Sequence, residues 1–528
     1  MKHFNITFKP DDKQISIHAG ANIIEAAGAA GIILNTVCGG KGICRKCLVT
    51  IGPDAEEVLA CQYRIEKDLI VTVPQESRFF EHKILEHGID IQTRVRPPDY
   101  QQKAKEKADI FALAVDIGTT TVVAKLINMA DSRCIATQSA LNPQSRYGDD
   151  CLSRIAYAAT DEKLAEMQKL IIDCINDLTA KLCKKASINH TDICEICVVG
   201  NTTMNHIFVK FPVTQLGQAP YKAFSTQAKD YSAEQLPLHC SPAANIHTPA
   251  NIAGFVGSDT TAVALATDIN SAEQTTLIVD IGTNGEIVLG TKEKLYAASC
   301  AAGPAFEGAR IKCGSRAAAG AIETVLVNNG DIDMDVIGDC PPRSICGSGL
   351  IDALAVLLDL GVVDNTGRFV ERQKLEGNLP SAILSRLTEH NNQPAFLLAQ
   401  NTDNHQQKVI LTQKDVRQVQ LAKAAIRAGI KLLQKKLRLN DTDIKHIFLA
   451  GAFGNYIRAE SAIKIGLLPL VPQERIYFVG NAAASGAQMI LLSRQWRQLA
   501  VELAEKIEYV EIAHEPDFTD VYADCMLF

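Results

Sequence analysis

Apolar positions along the chain follow two different periods and divide it into a short first part and a long second part. Near the start they alternate with polar positions, as in KHFNITF, which predicts strands, and an alanine-rich stretch predicts a helix. The predicted elements are a two-stranded hairpin, a helix and two more strands, at residues 2–8, 14–18, 22–30, 48–51 and 69–74. This order is typical of a β-grasp domain, which we place at residues 1–75.

The second part, residues 110–528, alternates apolar strands with helical stretches. That alternation predicts an α/β architecture. Residues 76–109 lie between the two parts, are rich in charged side chains and contain Pro97-Pro98. Their composition is typical of a linker, although a surface helix packed on either neighbour would look the same. The predicted fold class is therefore a multi-domain α/β protein.

An internal repeat divides the second part into halves. The segments LAVDIGTTTVVAKL at 113–126 and LIVDIGTNGEIVLG at 277–290 share the pentapeptide VDIGT, displaced by 164 positions. That separation is about the length of one domain, and a repeat of this kind indicates duplication of a whole structural unit. We therefore predict two halves of similar α/β fold, at about 110–270 and 271–528.

Composition and charge narrow the possible functions. The chain has 53 basic and 60 acidic residues, a net charge of −7, whereas nucleic-acid-binding proteins usually carry a basic excess. No apolar run approaches the roughly 18 to 20 residues that cross a bilayer, and the first residues lack the apolar stretch of a signal peptide. We expect a cytoplasmic protein with neither a nucleic acid nor a membrane as partner.

Sixteen cysteines are many for a chain without a secretory signal, and four of them are clustered. Cys38, Cys44, Cys47 and Cys61 follow the pattern C-x5-C-x2-C-x13-C, with glycines between the first two. A [2Fe–2S] cluster requires four thiolates, and glycines let the backbone approach the sulfur atoms. In a β-grasp context these cysteines resemble the ligands of the adrenodoxin and plant ferredoxin superfamily, which implies a [2Fe–2S] cluster bound by all four. A zinc site and unrelated buried thiols are the alternatives.

Each copy of VDIGT joins two predicted strands, as phosphate-binding loops do. In such a loop glycine lets the turn approach a phosphate, N–H groups and hydroxyls bind its oxygens, and the aspartate holds Mg²⁺ or its waters. We assign this metal-arranging, catalytic role to Asp116 and Asp280. The residues predicted to contact phosphate in the two loops are Gly118, Thr119, Thr120, Gly282, Thr283 and Asn284.

Two further glycine-containing segments fit a nucleotide site. The predicted strand at 446–450 runs into Gly451 and Gly454, where the backbone could approach an adenine or a ribose. The segment Gly347-Ser348-Gly349 opens a predicted helix, whose N-terminus favours an anion. Taken alone, each segment could equally be a tight strand-to-helix turn.

Together these loops resemble the nucleotide site of the acetate and sugar kinase, chaperone and actin superfamily. In that resemblance the Asp116 loop is the first phosphate motif, the Asp280 loop is the second, and the Gly451 segment is the adenosine motif. The resemblance implies a duplicated RNase H-like, actin-like ATPase fold over residues 110–528, with Mg²⁺ and ATP as ligands.

A [2Fe–2S] ferredoxin domain fused to an actin-like ATPase resembles one family in particular, the reductive activators of corrinoid proteins. Arg154 and the segments NPQ at 142–144, VGNTTM at 199–204 and GPAFEG at 303–308 support the resemblance. The family implies ATP-dependent, one-electron reduction of Co(II) to Co(I) in a corrinoid protein of a methyl-transfer system, with an upstream electron donor. It also implies a corrinoid contact by the serine that precedes the GPAFEG segment, which is Ser299 here.

Longer members of that family carry an extra domain, implicated in dimer formation, between the ferredoxin and ATPase parts. Residues 76–109 are too few for such a domain, which leaves open how a homodimer would form. Two other functions stay compatible with the sequence. One is electron activation of another low-potential enzyme, as by the activases of acyl-CoA dehydratases. The other is a non-catalytic protein that senses ATP and redox state.

Overall fold

The computed structural model describes residues 2–30, 32, 34, 42, 47–52, 55–74, 77, 110–148, 150–338, 340–400, 408–451 and 457–528. The predicted linker lies outside these residues except for Ser77, as do the predicted site residues Cys38, Cys44 and Gly454.

The N-terminal domain is built on a five-stranded sheet of order β2-β1-β5-β3-β4. Its elements are β1 (His3–Lys9), β2 (Lys13–His18), α1 (Ile23–Ala29), β3 (Leu48–Ile51), β4 (Glu56–Leu59) and β5 (Leu69–Thr72). Strand β1 pairs antiparallel with β2 and parallel with β5. Helix α1 begins at a capping box, in which Asn22 and Glu25 each bind the backbone N–H of the other. The predicted hairpin and helix are present, and β4 is an edge strand that the sequence pattern did not reveal.

The first half of the large domain contains a six-stranded sheet of order β10-β11-β9-β6-β7-β8. Its strands are β6 (Phe111–Ile117), β7 (Thr121–Asn128), β8 (Cys134–Leu141), β9 (Ile193–Gly200), β10 (Lys229–Ser232) and β11 (Asn245–Thr248). Its helices are α2 (Cys151–Tyr157), α3 (Asp161–Ala186), α4 (Thr202–Phe208) and α5 (Ser258–Thr267).

The second half contains another six-stranded sheet, of order β22-β21-β12-β13-β14-β23, and two three-stranded sheets, β16-β15-β17 and β18-β19-β20. Its strands are β12 (Thr276–Ile281), β13 (Gly285–Gly290), β14 (Leu295–Cys300), β15 (Ala321–Asn328), β16 (Asp331–Val336), β17 (Ser344–Ile345), β18 (Leu387–His390), β19 (Gln393–Gln400), β20 (Lys408–Thr412), β21 (His446–Ala450), β22 (Ile476–Gly480) and β23 (Ile507–Tyr509). Its helices are α6 (Gly347–Asp359), α7 (Arg372–Leu375), α8 (Ser381–Ser385), α9 (Gln413–Leu437), α10 (Ala459–Lys464), α11 (Ala482–Leu492), α12 (Arg494–Lys506) and α13 (Phe518–Asp524).

The two six-stranded sheets repeat one topology, as the duplicated VDIGT motif predicts. The order β11-β9-β6-β7-β8 in the first half corresponds to β22-β21-β12-β13-β14 in the second. The long helices α3 and α9 also correspond, because each starts at a threonine N-cap and ends at a residue in the left-handed conformation. The predicted α/β fold class and its duplication are therefore confirmed.

A shared apolar core joins the two halves behind the cleft that separates them. Helices α5, α11 and α12 pack together, and buried residues from both halves meet among them. At the edge of this core the Arg497 guanidinium of α12 donates to Glu195 Oε1 of β9 at 2.6 Å. Burial raises the pKa of Glu195, and the positive charge of Arg497 opposes that rise. This buried ion pair connects strand β9 of the first half to helix α12 of the second half.

No helix in the described ranges combines the length and the apolar character that a bilayer-spanning segment needs.

Candidate functional site

The two phosphate loops face each other across the cleft. The Gly118 N–H donates to Thr121 O at 3.0 Å and closes the first turn, where a side chain at Gly118 would meet that oxygen at 2.7 Å. The Gly282 N–H closes the second turn in a similar way. The hydroxyls of Thr120 and Thr283 are 3.5 Å apart. Residues that are distant in sequence thus form the two sides of one site.

Glu307 bridges the two loops. Its Oε2 accepts a hydrogen bond from Thr120 Oγ1 at 3.0 Å, and its Oε1 accepts one from Thr283 Oγ1 at 2.5 Å. Glu307 belongs to the GPAFEG segment, which the sequence marked only as a family resemblance. A carboxylate between the loops repels phosphate oxygens. A triphosphate that enters the cleft must therefore displace Glu307 or bring a cation that screens its charge.

Carboxylates line the floor of the cleft. Asp116 lies on β6 and Asp280 at the equivalent position of β12. Burial, together with the charge of Asp259, raises the pKa of Asp116 to about 7, although Asn481 Nδ2 donates to Asp116 Oδ2 at 2.8 Å and lowers it. Burial and the charges of Asp259 and Asp116 raise the pKa of Asp280 to about 7. Negative charge concentrated in this way favours a divalent cation.

Two further acids share this floor, and sequence reasoning missed both. Asp259 lies in the first turn of α5, and burial raises its pKa to about 6. Glu286 lies on β13, where burial and the charges of Asp259 and Asp280 raise its pKa. Within the described ranges, no three His, Cys, Asp or Glu side chains lie close enough to ligate one ion. A Mg²⁺ ion would therefore be held partly by water and phosphate oxygens, as is usual for this ion.

Glycines of the second half allow close approach along the other wall of the cleft. Gly451 follows β21 with φ +92°, and a side chain there would meet Asp280 Oδ1 at 2.6 Å. Gly347 and Ser348, the first residues of α6, line the cleft. Gly349 does not, because it packs against β15, where a side chain would meet a carbonyl oxygen at 2.3 Å.

The cleft encloses about 460 Å³, which lies within the usual range for ligand sites. The predicted nucleotide-site residues that line it are Asp116, Gly118, Thr119, Thr120, Asp280, Gly282, Thr283, Asn284, Gly347, Ser348 and Gly451. Lining residues that the sequence analysis did not assign to the nucleotide site include Asn201, Asp259, Glu286, Glu307, Arg316 and Asn481. The structure thus brings together all the predicted nucleotide-site residues that it describes except Gly349.

Residues that the sequence analysis connected only with the family resemblance form hydrogen bonds to the first phosphate loop. Asn142 Nδ2 donates to Gly118 O at 2.9 Å, and Asn201 Nδ2 donates to Thr119 Oγ1 at 3.0 Å. The fully buried Arg154 donates through Nη2 to Thr119 O at 2.6 Å. Hydrogen bonds to both residues hold the loop in its turn conformation before any ligand arrives.

The described part of the cysteine cluster brings two predicted ligands together. The Ala60 N–H donates to Cys47 O at 3.0 Å, so that Cys47 and Cys61 lie at the same end of the β3–β4 hairpin. Gly42 has φ +74°, and a side chain there would approach Gln62 Cγ at 3.1 Å. Gln62 Nε2 in turn donates to Cys61 Sγ at 3.6 Å. Gly42 therefore lies against the Cys61 turn, as a cluster shared by Cys61 and the residues around Gly42 requires.

Ser299 lies on β14, directly opposite Glu286 of the neighbouring strand β13. Side chains at paired positions lie on the same face of a sheet. Ser299 is partly buried and lies outside the lining of the nucleotide cleft.

Family models match the chain in succession. Residues 4–76 match the 2Fe-2S iron-sulfur cluster binding domain, 111–272 the RACo middle region, and 274–528 the C-terminal domain of RACo, the ASKHA domain. The corrinoid activation enzyme RamQ of Eubacterium limosum is 33% identical over 581 residues, which cover 97% of this chain and 97% of that protein. This chain belongs to the RACo family.

Two further proteins are similar to this chain over most of its length. The [Co(II) methylated amine-specific corrinoid protein] reductase of Methanosarcina barkeri is 23% identical over 451 residues, covering 78% of this chain and 76% of that protein. A solved structure, described as a reductive activator for corrinoid,iron-sulfur protein, matches with a TM-score of 0.73 at 29% identity, covering 99% of this chain and 98% of that one.

Membership of the RACo family confirms the resemblance stated from sequence and three predicted cofactors. The N-terminal domain binds a [2Fe–2S] cluster, and the ASKHA domain binds ATP with Mg²⁺. Which cysteines bind the cluster, which residues contact phosphate, and whether Ser299 contacts the corrinoid remain predictions.

Proposed function

We propose that this RACo-family protein reduces the Co(II) form of a corrinoid protein to Co(I), with ATP hydrolysis as the driving force. The observation that carries the proposal is the union, in one chain, of a 2Fe-2S domain with a nucleotide cleft built from two phosphate loops. Relatives that cover most of the chain are named a corrinoid activation enzyme and a Co(II) corrinoid protein reductase.

The proposed reaction balances as one electron passed from the ferredoxin domain to Co(II), while ATP and water give ADP and phosphate. When bound, the cluster supplies electrons singly, and Mg²⁺-ATP supplies the free energy. Each 59 mV of unfavourable potential difference reduces a one-electron equilibrium about tenfold. The protein can offset that reduction only by favouring, in one nucleotide state, the arrangement that stabilises the products.

Within the cleft we assign the Mg²⁺ ion and its waters to Asp116 and Asp280. Their raised pKa values mean that both must lose protons before a cation binds, so cation binding strengthens as pH rises towards 7 and above. Thr120 and Thr283 lie where hydroxyls from both loops can reach one phosphate chain. If phosphate displaces Glu307 from both threonines, phosphate binding is coupled to movement of the GPAFEG segment.

In the ferredoxin domain we assign the cluster to Cys38, Cys44, Cys47 and Cys61. Of the two described cysteines, Cys47 is buried and Cys61 is partly exposed. The ATPase reaction supplies no electrons, and an upstream donor must therefore reduce this domain. A homodimer stays a prediction.

We assign the corrinoid contact to Ser299. Its position opposite Glu286 places it one strand from the cleft floor, on a sheet that also carries the second phosphate loop. A ligand held at Ser299 would lie close enough for the nucleotide state to alter its surroundings through a single strand pair.

Anaerobic absorbance of a corrinoid protein from the same organism, with a chemical reductant for the ferredoxin domain, tests the proposal. Co(I) should appear with wild type and ATP, and should be nearly absent without ATP or with Cys47→Ser or Asp280→Ala. Cys340→Ser changes a cysteine outside both sites and should behave as wild type. Equal Co(I) formation without nucleotide would overturn the proposal. Activation of an acyl-CoA dehydratase instead of any corrinoid protein would support the activase alternative.

A further inference from the structure

A second cavity, of about 980 Å³, lies apart from the nucleotide cleft and has a basic rim. Five arginine and lysine side chains surround it, and all five are exposed: Arg310, Lys312, Arg368, Lys414 and Arg417. We call this cavity the basic groove. The whole chain carries a net charge of −7. The positive charge of the groove is therefore a local feature that the overall composition does not explain.

The only acid among the residues that line the basic groove is hydrogen-bonded within its wall, and five basic side chains outnumber it. Asp415 is buried; its Oδ1 accepts from the Lys312 N–H at 2.7 Å, and its Oδ2 accepts from the Thr412 N–H and hydroxyl at 2.9 and 2.7 Å. Among the described residues none of the five basic side chains forms an ion pair within 4.0 Å, although the charge of Arg368 helps to lower the pKa of Asp364. Most of their charge is therefore available to an external partner.

Hydrogen bonds hold the elements around the basic groove in fixed positions. Gln413 Nε2 donates to Gly367 O at 2.7 Å, and the Phe369 N–H donates to Gln413 Oε1 at 3.1 Å. Gln420 Nε2 donates to Thr366 O at 3.0 Å. These bonds fix the turn that carries Arg368 against helix α9. A groove formed in advance loses little conformational entropy when a partner binds.

One loop connects the basic groove to the nucleotide cleft. Residues 303–316 place Glu307 in the cleft, and place Arg310 and Lys312 in the groove. The two sides of this loop touch, because a side chain at Gly314 would meet the opposite side at 2.1 Å. Arg310 itself has φ +63°, in the left-handed region, at the point where the loop turns. A partner in the groove would therefore contact the same loop that bridges the phosphate motifs.

We propose that the basic groove docks an acidic, carboxylate-rich segment of the corrinoid protein; the identity of that partner rests on the proposed function. All five basic side chains are exposed around a cavity of about 980 Å³, which suits an extended polypeptide better than a small anion held by buried groups. Ile311, Phe369 and Pro394 also line the groove, and their apolar groups can pack against the stems of acidic side chains.

The first experiment uses the full-length protein with Arg368→Gln, Lys414→Gln and Arg417→Gln combined. The matched control combines Lys181→Gln, Lys184→Gln and Lys185→Gln, three exposed lysines of α3. Each exposed charge pair changes affinity about two- to threefold, so losing three should raise the KM for the corrinoid protein roughly tenfold. The kcat and the ATPase rate without partner should not change, because these residues lie outside the nucleotide cleft. The KM of wild type should also rise more steeply with salt than that of the groove variant.

The second experiment measures binding without any corrinoid, by fluorescence anisotropy of a labelled oligoglutamate. The probe has about 12 residues, which span roughly 40 Å when extended. Wild type and the lysine control should bind this probe, the groove variant should bind it roughly tenfold more weakly, and inorganic tripolyphosphate should compete only poorly.

The outcomes separate this inference from the proposed function. If wild type reduces the corrinoid protein and the groove variant has an unchanged KM, the docking site is wrong while the function stands. If tripolyphosphate binds in the groove and oligoglutamate does not, the groove is a site for a small anion and the inference fails. If wild type reduces no corrinoid protein but binds oligoglutamate through these side chains, the proposed function fails and the acidic docking surface stands.

Discussion

Replacing Asp280 by asparagine should stabilise the nucleotide-free protein while it removes Mg²⁺-dependent ATP binding. The carboxyl group lies on the cleft floor, where burial and the charges of Asp259 and Asp116 raise its pKa from 3.8 to about 7. The folded protein therefore resists ionisation of a group that the unfolded chain ionises readily. Asparagine keeps the shape of the side chain but carries no proton that must be lost.

The magnitude and its pH dependence follow from the two pKa values. Below pH 3.8 the carboxyl is neutral in both states, and above that value ionisation of the unfolded chain lowers the stability of the fold until pH passes about 7. The full difference corresponds to roughly 4 kcal/mol, which we reduce to about 2 kcal/mol because the cleft is open to water. Asp280→Asn should thus raise Tm by roughly 2–4 °C at about pH 8, and by less than half of that at about pH 5.

Thermal unfolding of wild type and Asp280→Asn at both pH values, with and without Mg²⁺-ATP, checks this prediction. Saturating nucleotide should raise the Tm of wild type but not that of the variant, because only a protein that binds the ligand is stabilised by it. Asp177→Asn, at an exposed position of α3, is the control and should change neither Tm nor binding. The reasoning is refuted if Asp280→Asn is less stable than wild type at high pH, or if its gain in Tm does not depend on pH.

Three other predictions concern contacts outside the cleft floor. Glu307→Gln should tighten binding of Mg²⁺-free ATP on the order of tenfold by calorimetry, because it removes a negative charge from between the phosphate loops. Arg497→Met should lower the stability of the fold by about 3–5 kcal/mol, since it leaves the charge of Glu195 buried with only the neutral amide of Asn245 as partner. Glu195→Gln in the same chain should restore most of the Tm. Cys61→Ser should lose most iron and sulfide by chemical analysis, whereas Cys313→Ser should keep both.

Each of these predictions has an outcome that contradicts it. Unchanged ATP affinity in Glu307→Gln would show that the carboxylate does not oppose the phosphates. Additive losses in the Arg497→Met, Glu195→Gln double variant would show that the pair does not interact across the two halves. Full cluster occupancy in Cys61→Ser would remove Cys61 from the ligand set.

The sequence predicted those features whose chemistry is confined to a few consecutive residues. A phosphate loop needs its glycine, hydroxyl and aspartate within one turn, so the Asp116 and Asp280 loops were recognisable and the structure places them face to face. Their repetition also predicted the duplicated sheets. Strand β4 was missed because its sequence, EEVL, carries charges typical of a short edge strand and shows little apolar alternation.

Features that depend on residues far apart in the chain were decided only by the tertiary structure. Asp259 and Glu286 belong to the cleft floor because α5 and β13 bring them there, and no local pattern marks either residue. Glu307 bridges threonines that come from opposite halves of the domain. Gly349 fitted the pattern of a phosphate-contacting glycine, yet it packs against β15 because helix α6 needs a close approach at that point.

What the sequence by itself determined was the kind of chemistry: four thiolates in one short region and two phosphate loops one domain apart. What only the tertiary structure decided was which side chains meet around the nucleotide cleft and the basic groove, and how their charges act on one another. Desolvation and mutual repulsion, which raise the carboxyl pKa values on the cleft floor, exist only once both halves enclose that floor. The basic groove likewise exists only because separate turns bring their side chains around one cavity, and charge in a linear sequence does not reveal which residues will meet.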